Sequence, residues 1–201
     1  MLSKAEFLEP LARLRTDEIV VTTMGMVRPW GALSSHALDF ASADSAMGHA
    51  ADLALGLALA QPQRRVLCLN GDGSMLMSLG TLITIRQASV TNLMLFVAEN
   101  STYEITGNQP VPGAGIVDYA GLARAAGWPQ AFAFDDATEY ADALPRILGL
   151  TGPILIAVRT EPGAEGPMSR RPDEVPCLRD SIAEDARRVR AALATTAIDR
   201  G

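Results

Sequence analysis

A chain of 201 residues that is 48% apolar and 20% charged is long enough to bury a full core and too apolar to stay disordered. A formal charge of −6 and a pI near 4.9, with no Lys/Arg cluster interleaved with aromatics, argue against nucleic acid as a partner. Cys68 in an apolar run and Cys177 in a polar tail make neither a disulfide framework nor a Cys-x-x-Cys metal motif, which fits a reducing cytoplasm.

The chain opens MLSKAEFLEPLARLRTDE, whose scattered charges leave no apolar run of the kind a signal peptide needs. Glu18–Thr22 (EIVVT) predicts the first buried strand. Ala46–Ala60 predicts a helix that is apolar around most of its circumference. Such a helix suits burial against a sheet on one side and, on the other, either more of the same chain or a partner. It is too short and too polar at His49 and Asp52 to span a bilayer, so no membrane association is expected.

Arg65–Asn70 (RVLCLN) predicts a second strand and Met75–Ser89 a helix. Asn92–Glu99 (NLMLFVAE) follows as a strand, then Asp118–Ala126 as a helix and Ala131–Phe134 as a short strand. Ala137–Leu148 predicts another helix and Pro153–Val158 (PILIAV) another strand. Continuous apolar strands alternating with helices predict an α/β fold, a single doubly wound domain with a mostly parallel sheet over residues 1–160. After Thr160, EPGAEGPMSRRPDEVP is rich in Pro, Gly and charge and predicts an extended arm. Leu178–Ala194 then resumes a helical pattern, so residues 161–201 form the arm and a C-terminal helix.

Gly71-Asp72-Gly73-Ser74 lies between a strand and a helix, on the sheet edge where ligands collect in open parallel sheets. Glycines let a backbone approach closely, and N–H groups at a helix start suit phosphate. Asp72 would repel that phosphate unless a cation stood between them. Mg²⁺ takes oxygen ligands and bridges a carboxylate to phosphates. Asn100, ending the next strand, offers a second oxygen on the same edge. On its own, Gly-Asp-Gly is equally a plain turn.

The combination resembles the diphosphate-binding signature of thiamine diphosphate (ThDP) enzymes, with GDGS at 71–74 and ENSTY at 99–103. NSTYEITGNQP at 100–110 and RRPDEVP at 170–176 are similar to segments of the phosphonopyruvate and sulfopyruvate decarboxylases, and the resemblance covers roughly residues 18–180. It implies that Asp72, the Asn100 side chain and the Thr102 carbonyl hold Mg²⁺, and that Gly71, Gly73 and Ser74 meet the diphosphate, with Tyr103 alongside. Thr23 and Gly25, in VVTTMGMV at 20–27, are implied to approach the same group.

DSAMGHAADLALGLALA at 44–60 is similar to the loop and helix beneath the aminopyrimidine. Met47 would wedge between the two cofactor rings and the Ser45 carbonyl would accept from the ring's amino group, with Ala46 and Gly48 beside them. Taken alone, Met47 reads better as a plain core methionine, and its place after a polar loop and before a helix is what favours the wedge. Substrate-facing candidates are His49, Tyr103, Glu104 and Gln109, with His36 behind them. Glu104 beside an anionic substrate needs pairing or protonation, or else caps its own loop. Two departures stand out: Ser101 occupies a position where relatives often carry Gly, and His49 follows the Met-Gly pair.

The resemblance covers only the half of such an enzyme that binds diphosphate and metal. It therefore implies a split 2-oxo acid decarboxylase, a lyase acting on a small anionic substrate such as phosphonopyruvate or sulfopyruvate. A separate PYR-domain subunit of similar size would supply the catalytic glutamate. The alternatives are a split ThDP enzyme of another type, carboligase or oxidoreductase, and a noncatalytic nucleotide-binding module. The lack of clustered cysteines counts against an iron–sulfur oxidoreductase. Absence of Gly-x-Gly-x-x-Gly and of a P-loop counts against ordinary nucleotide binding.

Overall fold

Strands buried on both faces need helices on both sides, and the chain supplies them by alternating the two. In order, it runs through α1 (Lys4–Leu14), β1 (Ile19–Thr22), α2 (Val27–Leu33), β2 (Asp39–Ala41) and α3 (Ala50–Ala60). Next come β3 (Val66–Gly71), α4 (Asp72–Leu76), α5 (Thr81–Ala88) and β4 (Leu93–Glu99). A small hairpin of β5 (Thr102–Tyr103) and β6 (Gln109–Pro110) follows, then α6 (Tyr119–Ala125), β7 (Gln130–Phe134), α7 (Ala137–Leu148) and β8 (Ile154–Arg159). The chain ends in α8 (Pro176–Arg179) and α9 (Ile182–Ile198). This computed structural model describes residues 1–41, 47–169 and 171–198.

Six strands form one parallel sheet in the order β2-β1-β3-β4-β8-β7. Alternate residues feed the two faces. Val21, Cys68, Leu95 and Leu155 join α3, α5 and α6 in one core cluster. Val20, Leu67, Phe96 and Ile156 join Phe7, Trp30 and Tyr140 in the other. The connections reverse direction between β1 and β3, so the carboxyl ends of these two strands open a crevice at the switch point.

Several boundaries differ from the sequence-based expectation. The helix expected over 75–89 is two helices, α4 and α5. Gly80 is a poor helix former, and between the helices Ser78 turns its hydroxyl to the Gly48 carbonyl. The helix expected from Ala46 begins at Ala50, because Gly48 has φ of +84°, outside the right-handed helix. The helix expected over 178–194 is α8 and α9, divided where Ser181 caps α9. The Glu184 N–H donates to the Ser181 hydroxyl at 3.3 Å, and the Ser181 N–H to the Glu184 carboxylate at 2.7 Å.

Helices α1 and α2 and the three-residue strand β2 were not anticipated. The signal for α1 was present as the capping box Ser3-x-x-Glu6. Residues 161–169 carry no helix or strand, yet they are pinned down. The Glu161 N–H donates to the Leu2 carbonyl at 2.8 Å, and Arg28 donates to the carbonyls of Gly166 and Pro167 at 2.8 and 2.7 Å.

Edge strand β2 is fixed by a buried charge. Asp39 accepts from Trp30 Nε1 at 3.1 Å and from the Ser34 hydroxyl at 2.6 Å, and pairs with Arg15 at 3.1 Å. Removing the carboxylate strands Arg15, whose side chain is only 5% exposed. Asp39→Ala is expected to lower unfolding free energy by about 3–5 kcal/mol in urea titrations. Glu9→Ala, at the exposed Glu9–Arg13 pair, is expected to cost less than about 1 kcal/mol.

Candidate functional site

Three loops meet beyond the carboxyl ends of β1, β3 and β4 and line an open cleft. Asp72 is the first residue past β3 and is 4% exposed. Its Oδ1 accepts the Gly73 N–H and its Oδ2 the Ser101 N–H, both at 2.7 Å, so one carboxylate ties the loop after β3 to the loop after β4. Burial lifts its pKa above the ordinary carboxylate range, while those two N–H groups pull it down. Nearby, burial pushes the Glu99 carboxyl up to about 7 against the pull of Arg159.

Asn100 is buried at the end of β4, and its Oδ1 accepts the Thr102 N–H at 3.0 Å. Between them Ser101 sits at φ +63°, the left-handed region that glycine enters freely. That backbone turn aims the Ser101 N–H at Asp72.

Glycines on the β3 loop differ in what surrounds them. A Cβ on Gly73 would run into the Tyr103 ring and lie 3.1 Å from Val111, so protein packing alone demands that glycine. A Cβ on Gly71 would meet no protein atom within 4 Å, although Gly71 lines the cleft. Open space in the cleft lies where its side chain would be. Ser74 is buried, and its hydroxyl accepts the Gly48 N–H at 2.9 Å, which joins the turn at 47–49 to the same loop.

The loop after β1 supplies the opposite wall. Thr23 lines the cleft with a fully buried hydroxyl that has no hydrogen-bond partner. Met24 follows at φ +48°. Gly25 also lines the cleft, and a Cβ there would sit 2.7 Å from a Glu104 carboxylate oxygen.

The structure therefore brings Thr23, Gly25, Met47, Gly71, Asp72, Gly73, Ser74, Asn100, Thr102 and Tyr103 to one cleft. Gly48 touches it through Ser74, while Ser45 and Ala46 lie outside the described residues. Of the substrate-facing candidates, Tyr103 and Glu104 line the cleft and His49 and Gln109 do not. His49 is exposed and holds Asp52 at 2.9 Å. The Gln109 amide is bound to Thr106 within its own hairpin at 2.7 Å. His36 lies in a different surface recess, beside Arg15 at 3.0 Å.

Met24, Met26, Ile105 and Thr106 line the cleft without having been anticipated. The methionines were legible in VVTTMGMV only as apolar residues near a strand end.

The donors at the mouth are a carboxylate, an amide oxygen and backbone. Such an all-oxygen set suits a hard cation such as Mg²⁺. Among the described residues no cluster of three His, Cys, Asp or Glu offers a softer site. The partnerless Thr23 hydroxyl and the open space at Gly71 fit a polar ligand entering between the β1 and β3 loops.

Comparison with known proteins identifies the family and the fold. The family model described as thiamine pyrophosphate enzyme, C-terminal TPP binding domain, matches residues 22–158. Sulfopyruvate decarboxylase subunit beta of Methanothermobacter thermautotrophicus is 34% identical over 81% of this chain and 84% of its own. Phosphonopyruvate decarboxylase of Streptomyces viridochromogenes is 36% identical over 92% of this chain, which spans 44% of that relative's length. In three dimensions, a thiamin diphosphate-dependent enzyme from Mycobacterium smegmatis superposes with a TM-score of 0.67 at 21% identity. That match covers 81% of this chain and 32% of the other, and shows the shared fold. With its family model lying across β1 through β8, the chain belongs to the thiamine pyrophosphate enzymes and carries their C-terminal cofactor-binding domain.

Proposed function

We propose that this chain is the ThDP- and Mg²⁺-binding subunit of a split 2-oxo acid decarboxylase acting on a small anionic substrate such as sulfopyruvate or phosphonopyruvate. A PYR-domain subunit of similar size would carry the catalytic glutamate. The observation that carries the reading is the buried Asp72 carboxylate, which knits two strand-end loops and whose burial calls for a cation. The subunit reading is supported by the relative named as a beta subunit, matched over 84% of its length, and by a longer relative of which this chain spans 44%.

In this reading Asp72, the Asn100 side chain and the Thr102 carbonyl would hold Mg²⁺. The Thr23 hydroxyl and the backbone of Gly71–Ser74 would receive the diphosphate, with Met47 beneath the junction of the two rings. When bound, ThDP supplies the electron sink into which a 2-oxo acid loses CO₂. The residues of this chain would anchor that group, and the Tyr103 ring packed over Gly73 closes one wall of the cleft. His49 and Gln109 lie outside the lining, so their candidacy rests on the companion closing over the turn at 47–49 and the β5–β6 hairpin. A reducing cytoplasm suits the two free cysteines, one of them fully buried. Among the described residues no helix is long and apolar enough to cross a membrane.

Calorimetry tests the cofactor assignment directly. The wild-type chain is expected to bind ThDP with Mg²⁺ in preference to ADP or NAD. Asp72→Ala and Asn100→Ala are expected to lose on the order of 100-fold in that affinity while keeping their far-UV circular dichroism. Wild-type affinity in both variants would sink the assignment.

Proton and metal compete for one carboxylate, which sets the sign of the pH dependence. Because burial raises the Asp72 pKa, the ion-free chain keeps the stability of a protonated Asp72 at low pH and loses it as pH rises through the raised value. Mg²⁺ with ThDP is expected to stabilise increasingly as pH rises above the ordinary carboxylate range and through the raised value, read as a widening gap in melting temperature. Asp72→Asn is expected to hold that gap flat.

The division of labour is tested by assay. The purified chain with ThDP, Mg²⁺ and sulfopyruvate or phosphonopyruvate is expected to release no CO₂ until its companion is added. Full turnover by this chain alone would exclude the split enzyme.

A further inference from the structure

Glu104 is a second carboxylate lining the cleft, only 4% exposed and outside the proposed ligand set. Its partners come from distant parts of the chain. Lys4 Nζ lies 2.5 Å from Oε2, and the Gly163 N–H donates to Oε1 at 2.5 Å. The same ammonium donates to the Gly25 carbonyl at 3.2 Å, on the loop that presents Thr23. Lys4 opens α1, which is held by its capping box and by Phe7, Leu8 and Leu11 in the core, so the ammonium extends from a fixed base.

Two glycines show that the space around this pair is built for it. A Cβ on Gly25 would fall 2.7 Å from Glu104 Oε2. A Cβ on Gly163 would fall 2.9 Å from Lys4 Nζ and 3.0 Å from Glu104 Oε1. Neither glycine has a positive φ, so backbone conformation does not demand either of them. What each provides is room for the ion pair. The node also fastens the hairpin and the arm: the Asn108 amide donates to the Gly163 carbonyl at 3.1 Å, and the Thr102 hydroxyl donates to Asn108 Oδ1 at 2.9 Å.

We propose that Lys4 and Glu104 are positioning residues, a buried latch that sets the spacing between the β1 loop and the Thr102–Tyr103 hairpin and makes it depend on docking of the 161–166 arm segment. The inference rests on the cofactor reading given above. A buried carboxylate that loses its ammonium is left uncompensated, and the loops it joins relax apart.

Lys4→Met and the double variant Lys4→Met/Glu104→Gln separate positioning from bulk stability. Both are read by ThDP affinity in the presence of Mg²⁺, by thermal melting and by amide hydrogen exchange of the full chain without cofactor. Lys4→Met is expected to weaken ThDP binding by at least about tenfold and to speed exchange in residues 101–109 and 161–166 together. The double variant removes the unpaired charge, so its melting temperature is expected to recover while ThDP affinity stays low. Wild-type affinity in the double variant, or faster exchange confined to the N-terminal helix, would overturn the latch. Were the wild-type chain to bind no ThDP, the cofactor reading would fail instead. The latch would then stand or fall on whether exchange rises in both segments.

Discussion

A carboxylate with almost no access to water is expensive to ionise, and this chain places one at the end of its central strand β3. Two backbone N–H groups satisfy Asp72 in part, one from its own loop and one from the loop after β4. Those bonds force the two strand ends into a common geometry, and the loop conformations follow. Ser101 turns left-handed to present its N–H, and Gly73 does without a side chain so that Tyr103 can lie across it. The remaining electrostatic cost is a standing attraction for a cation, and a cation in that position is what allows phosphate near an acidic group.

Much of the fold was legible because its signal is strong where burial is complete. β3, β4 and β8 lie within a residue of their expected bounds, since a strand covered on both faces has no reason to alternate. β2 is three residues long and could not rise above its surroundings. Helix boundaries failed where a single side chain or a positive φ overrode the periodic pattern, as at Gly48, Ser78 and Ser181. The loop residues of the cleft were legible as a motif, because chemistry there depends on residue type and order. The partners of Glu104 were not. Lys4, Glu104 and Gly163 are adjacent only through the fold, and no local pattern relates them.

The relation between the two acidic groups of the cleft organises the rest. Asp72 keeps its charge partly unanswered, whereas Glu104 is answered fully by an ammonium and an amide. One carboxylate is thus available to an ion and the other is committed to architecture, though both border the same space. Sequence inspection cannot separate such roles, because the partner that decides between them stands at the far end of the chain.

The cleft is carried by β3 and β4, each paired on both sides within the sheet. Central strands of this kind open last in native-state fluctuations, with free energies approaching that of global unfolding. The loops that line the cleft after these strands are rooted in them. A ligand that binds loops so rooted, and not the unfolded chain, stabilises the whole fold by mass action, so its loss would shorten the lifetime of the folded state.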